Sequence, residues 1–158
     1  MDVEQLASRV RLLEDERAIL GALQAYGHAI DYGDEERYLD LWTDDAAFDA
    51  RGRVQGDVTR VVRGREALAD FAKRFSRPPE GWHKHVVIEP LIEVEGDVAS
   101  ATSYFAVLRD EGSQPILWVF GRYRDTLVRC ADGRWRFSLR IAEVESVNRR
   151  YRSLAFVR

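Results

Sequence analysis

The sequence predicts an α+β domain, with helices laid against one face of an antiparallel sheet. Two patterns point there. In the first half, apolar residues recur at spacings of three and four, the period of a helix. In the second half, β-branched and aromatic residues alternate with polar ones in long runs divided by Gly-containing turns. Helices first and strands afterwards is the α+β order. A third observation bounds the answer. The chain has 158 residues, which suits one domain, and no linker, repeat or low-complexity segment divides it.

Residues 4–32 are expected to form a long helix. Leu6, Val10, Leu13, Leu20, Leu23, Gly27 and Ile30 recur at three, four or seven, and Gly33 can supply the left-handed residue that ends it. A second helix is expected at 35–42, with Asp34 as its N-cap and acids in its first turn. Residues 46–50 and 55–62 read as short strands. Gly64 precedes a third helix, REALADFAKRF. Residues 83–95 and 98–109 then pair as a hairpin across Gly96-Asp97. Residues 115–129 and 134–147 pair across Ala131-Asp132-Gly133. In the last strand Trp135, Phe137, Leu139 and Ile141 are expected on one face, with Arg136, Ser138 and Arg140 on the other. Pro90 marks its strand as an edge or as bulged. The core is expected over 5–147, and residues 148–158 form a basic, aromatic extension suited to covering the sheet, closing a pocket or exchanging with a neighbouring subunit.

Composition narrows the function. There are 24 Lys+Arg against 27 Asp+Glu, a net charge of -3 and a single Cys, Cys130. The mild acidity argues against a nucleic-acid partner. No apolar run is long enough to span a membrane, and the polar start is no signal peptide. One Cys allows neither an internal disulfide nor a multi-Cys zinc site. A soluble, cytoplasmic domain is the expectation. Only Lys73 and Lys84 are lysines, so 22 of the basic residues are Arg. They are scattered rather than clustered, which fits a compositional bias better than an anion site.

Asp31 is the most informative residue. It continues the apolar stripe through positions 20, 24 and 27, and a carboxylate facing a core needs a partner. His85 supplies a candidate, since an acid that orients an imidazole makes a proton-transfer pair. His28, one helical turn before Asp31, is a competing partner. His83 shares a strand face with His85, and Asp31 or Glu89 could add oxygen, but nothing else clusters with them and no metal is expected. No phosphate loop or nucleophile elbow occurs, and no cofactor is expected.

Three segments carry a family resemblance: YGHAIDYGDEERYLDLWTDDAAFDA, HKHVVIEPLIEVEGDVASATSYF and GRYRDTLVRCADGRWRFSLRIAEV. In that order, they resemble the SnoaL-like group of the NTF2-like superfamily. The resemblance implies a cone, in which a curved, mostly antiparallel sheet wraps a long N-terminal helix and leaves a deep pocket at its open end. Enzymes of this group include scytalone dehydratase and bile-acid 7α-dehydratase, which use an Asp–His pair. Asp31 falls on the helix-end Asp and His85 on the hairpin His. Tyr26 falls where the bile-acid enzyme carries a Tyr. The hexachlorocyclohexane dehydrochlorinase has Lys at that place, which favours dehydration over dehydrochlorination. Glu89 departs from an Asn common in the group. On a straight helix Tyr26 and Asp31 stand about 140° apart, so they must converge across a cavity or through a helix end.

The resemblance implies a cofactor-independent lyase or isomerase acting on a small, hydrophobic, cyclic substrate. His85 would be the base, Asp31 its orienting acid and Tyr26 a hydrogen-bond donor, with Phe48, Tyr104 and Trp118 as pocket walls. A homodimer or homotrimer is implied as well. Two alternatives share the fold: a non-catalytic module that uses the pocket to bind a small-molecule ligand or the Arg-rich sheet face (Arg122, Arg124, Arg136, Arg140) to bind a partner or assemble, and the scaffold subunit of a ring-hydroxylating dioxygenase.

Overall fold

A computed structural model describes residues 2–52 and 59–148. Helix α1 spans Val3–Tyr32. It starts at a reciprocal cap, in which Asp2 accepts from the Gln5 amide and the Gln5 side chain accepts from the Asp2 amide. It ends at Gly33, whose φ of 71° is open to glycine at little cost. Helix α2, Glu35–Asp40, is capped by Asp34. Strand β1 (Trp42–Gly52), strand β2 (Thr59–Arg63) and helix α3 (Arg65–Ala72) follow. The long strands β3 (His83–Glu95), β4 (Val98–Asp110), β5 (Pro115–Arg129) and β6 (Trp135–Val147) complete the chain.

The six strands make one sheet in the order β2-β1-β6-β5-β4-β3. All neighbours are antiparallel except β1 and β6, which run parallel. The sheet curves around the C-terminal half of α1, whose Ile19, Leu23, Tyr26 and Ile30 enter the core. The NTF2-like cone expected from the sequence is the observed fold, and its α+β order is that of the elements above.

Three local expectations need correction. First, β1 begins at Trp42, earlier than residue 46, because the buried Trp42 already pairs with Phe137 before a register shift ahead of Ala47. Only residues 59–62 of the expected strand at 55–62 lie within the described residues, and the extension at 149–158 lies outside them. Second, the N-terminal half of α1 is not core. Val3, Leu6, Val10 and Leu13 are exposed, and burial begins at Ile19. At 100° per residue the exposed set lies roughly 160° round the helix from the buried one, so the chain carries two stripes on nearly opposite faces.

Third, β6 does not alternate evenly. Leu127 pairs with Phe137 but Thr126 pairs with Leu139, so Ser138 is an extra residue. A one-residue bulge reverses which side chains face the core. Trp135 and Phe137 point inward before it, and Arg140 and Ala142 after it. Arg140 therefore does not belong to the outer face. That face keeps Arg122 and Arg124, both paired with Glu143, while Arg136 is half-buried against Asp40 and Asp132.

Candidate active site

The last turns of α1 bring an acid to β3. Gly27 permits the approach, because a Cβ there would stand 2.6 Å from the His85 carbonyl oxygen. One turn on, Asp31 reaches the strand with both oxygens. Its Oδ1 is 2.6 Å from His85 Nδ1, and its Oδ2 accepts the His85 backbone N–H at 2.9 Å. Two bonds from one residue fix the carboxylate and the ring together. Both side chains are buried, at 3% exposure each. His28 is exposed and takes no part.

His83, two residues earlier on the same strand face, brings Nε2 to 3.5 Å from the same Asp31 oxygen. That nitrogen is buried and has no hydrogen-bond partner among the described residues. Burial, helped by the neighbouring His85, pushes the His83 pKa down to about 4. His83 is thus a neutral imidazole near pH 7. Asp31, His83 and His85 are also a set of metal-ligating side chains with their donor atoms gathered within 4.8 Å.

His85 opens onto a narrow apolar cavity whose walls include Tyr26, Phe48, Phe105, Tyr123 and Val144. The Tyr26 ring stands edge-on to His85 with 6.0 Å between centroids. Tyr26 and Asp31, far apart round the helix, thus meet His85 from two sides. Burial raises the pKa of both Tyr26 and Tyr123, so each keeps its proton and can donate it to a hydrogen bond. Phe48 lines the cavity, but two other expected walls do not. Tyr104 lies on the outer face, 56% exposed, because the inward positions of β4 are the odd ones, from Ala99 to Val107. Trp118 is buried beneath the Arg109 guanidinium rather than at the cavity. A register shift between Val107 and Leu108 separates it from Val119, which does line the space.

Sequence reasoning missed the pair Arg140–Asp125. Arg140 Nε and Nη2 donate to the two Asp125 oxygens at 2.8 Å, with both side chains fully buried. The guanidinium carbon sits 4.2 Å from the Tyr26 ring centroid, 4.1 Å from Tyr123 and 4.3 Å from Phe137. Burial works to lower the Arg140 pKa, but Asp125 and the two phenol groups outweigh it and the net shift is upward. A buried ion pair therefore lies directly behind two cavity walls. One signal was available: Asp125 falls between Tyr123 and Leu127 at the inward period of β5.

The arrangement has an apolar chamber, a hydrogen-bonded Asp–His pair at one wall and phenol donors beside it. With Asp31 ionised, Nδ1 of His85 carries the proton, and Nε2 is left as the basic nitrogen.

Among solved structures, an NTF2-like protein with a cystatin-like fold from Novosphingobium aromaticivorans is similar at 25% identity. The match covers 99% of this chain and 97% of that one, with a TM-score of 0.78. A variant of Rv3472, a protein of unknown function from Mycobacterium tuberculosis, is similar at 26% identity over 88% of this chain and 76% of that one, with a TM-score of 0.75. A Catenulispora acidiphila structure in complex with S-DNPA is similar at 26% identity over 84% and 94%, with a TM-score of 0.68. No curated protein matches the chain. No helix among the described residues is long and apolar enough to cross a membrane. Residues 11–141 match the SnoaL-like domain, a span that holds the Asp–His pair, the cavity's phenols and Arg140, and the chain belongs to that family.

Proposed function

We propose that the protein is a cofactor-independent lyase or isomerase that moves a proton on a small, cyclic, hydrophobic substrate. The observation that carries this reading is the 2.6 Å contact between Asp31 and His85 at the wall of an apolar cavity. A non-catalytic binding module has no need of an oriented base there.

In the proposed step, Nε2 of His85 takes a proton from a carbon next to a carbonyl. The C–H electron pair moves into the carbonyl and leaves an enolate. Asp31 steadies the imidazolium that results. Tyr26 donates a hydrogen bond to the developing oxyanion or to a leaving hydroxyl. Collapse of the enolate expels a β-hydroxyl, which takes the proton and departs as water; return of the proton at another carbon gives isomerisation. The Arg140 charge behind Tyr26 and Tyr123 favours negative charge on their cavity side, tempered by Asp125. The almost wholly apolar walls suit a neutral ring system with one polar edge.

A bicyclic ketone such as 2-tetralone tests the base without knowledge of the natural substrate. In D₂O the protein should accelerate exchange of the hydrogens next to the carbonyl, as read by proton NMR, and His85→Ala should lose that acceleration. Exchange that persists in a folded His85→Ala variant overturns the mechanism. Binding of the ketone without any exchange would leave the binding module as the better reading.

A further inference from the structure

We propose that Asp31, His83 and His85 form a binding site for one divalent ion of the zinc class, and that the ion silences the base. Two imidazoles and one carboxylate are a familiar zinc donor set that leaves the fourth position open. The backbone sets them up: His83 and His85 stand two apart on β3, on one face, and α1 delivers Asp31 between them. Zinc bonds of about 2.0–2.2 Å in a tetrahedron place donors about 3.4 Å apart. Asp31 Oδ1 already lies 3.5 Å from His83 Nε2 and 2.6 Å from His85 Nδ1, and the three donors lie within 4.8 Å of one another. Small side-chain movements suffice to admit an ion.

A second observation points to a ligand. His83 Nε2 is buried, faces the carboxylate and has no hydrogen-bond partner among the described residues. Such a nitrogen is costly to leave unpaired, and a cation bound there would satisfy it. The surroundings are suited to holding the ligands still. Asp31 Oδ2 is fixed by the His85 amide, an outer contact of the kind that orients metal ligands. Phe75 packs against both imidazoles, at 5.9 and 5.7 Å between centroids.

The consequence for chemistry follows from the tautomer. An ion on Nδ1 displaces the proton held there. The neutral ring then carries its proton on Nε2, so the lone pair that would take a substrate proton is gone. Binding itself does not depend on the proposed reaction, but the loss of turnover rests on His85 being its base.

The test uses the full chain, freed of metal with a chelator and titrated with Co²⁺, then with Zn²⁺ in competition. We expect one ion per chain, a visible Co²⁺ spectrum of a four-coordinate site without a thiolate band, and displacement by zinc. Only three histidines exist in the chain, so the assignment is closed by few variants. His83→Gln should weaken binding at least about 100-fold, the upper end of what loss of an outer-shell partner costs. Asp31→Asn should do the same, and His28→Ala should leave the affinity unchanged. Zinc should suppress ketone exchange by the wild type. Binding that survives both His83→Gln and Asp31→Asn, binding lost in His28→Ala, or a thiolate band from Cys130 overturns the site. Zinc bound with the expected variant pattern but without effect on exchange supports the site and counts instead against His85 as the base.

Discussion

Two buried carboxylates flank the same cavity, and their partners differ in one respect. Asp31 is paired with an imidazole, a group able to accept and give back a proton in a reaction. Asp125 is paired with a guanidinium that cannot. The first pair can change charge during a reaction, so it suits proton transfer. The second holds a constant charge behind aromatic walls, so it suits structure and a steady field. Variants that remove one pair at a time should therefore separate chemistry from stability.

The largest expected effect falls on the Asp31 side. Asp31→Asn keeps the shape but can present an N–H to Nδ1, which moves the ring proton to Nε2. Turnover or ketone exchange should drop about 10²–10⁴-fold, the usual worth of a positioned acid–base group. Circular dichroism and the melting temperature should show a folded protein. Unchanged exchange would erase the proposed distinction between the two pairs.

The converse holds at Asp125. Asp125→Ala strands the fully buried Arg140 charge, and loss of one partner of a buried pair costs roughly 3–5 kcal/mol. Urea unfolding measures it. The double variant Asp125→Leu/Arg140→Leu should recover much of that stability, because no unpaired charge is left inside. A double variant as unstable as Asp125→Ala would mean that Arg140 holds the fold by packing on Tyr26, Tyr123 and Phe137 rather than by charge.

Much of this architecture was legible in the sequence, for reasons that also mark where legibility stopped. The long helix and the two hairpins announce themselves through period and turn residues, since burial of one face imposes the period. The bulge at Ser138 does not, because one extra residue changes no composition; every side chain beyond it was assigned to the wrong face, Arg140 included. Tyr104 could have been placed correctly, for Ala99, Ala101, Phe105 and Val107 share the opposite parity. The meeting of Asp31 with His85, 54 residues apart, could not be read from spacing. Residue chemistry offers His85 and His28 alike as partners, and the resemblance to enzymes with an Asp–His pair is what favours His85. The apolar N-terminal stripe of α1 misled because a helix pattern reveals a face but not what covers it.

A smaller effect should come from the spacing between helix and strand that the Asp31 pair needs. Gly27→Ala gains about 0.5–1 kcal/mol in helix preference. Its new Cβ would meet the His85 carbonyl oxygen at 2.6 Å, and a clash inside packed structure costs about 1–3 kcal/mol. The net should be a modest fall in melting temperature together with a clear fall in exchange, since β3 must shift away from Asp31. The same measurements on Gly21→Ala, where a Cβ meets nothing within 4 Å, should show a small gain in stability and no loss of exchange.

The smallest effect concerns how the helix that carries Asp31 is tied to the sheet that carries Asp125. Asp15 receives Arg129 Nη1 and Nη2 at 2.7 and 2.6 Å and the Trp135 indole N–H at 3.0 Å. The Arg129 hydrogen bonds, with help from Trp135 and against burial, hold its pKa below the ordinary 3.8. A carboxylate lowered on folding adds stability that is full above its unfolded pKa and fades as pH falls through the folded one. Asp15→Asn should thus cost on the order of 1 kcal/mol at pH 7, the scale of a hydrogen-bonded pair near the surface. The wild type and the variant should converge as pH falls through and below the lowered pKa of Asp15. Melting curves of both proteins between neutral and acid pH test this. A gap that stays constant with pH would assign the contribution of Asp15 to the shape of its contacts and not to its charge.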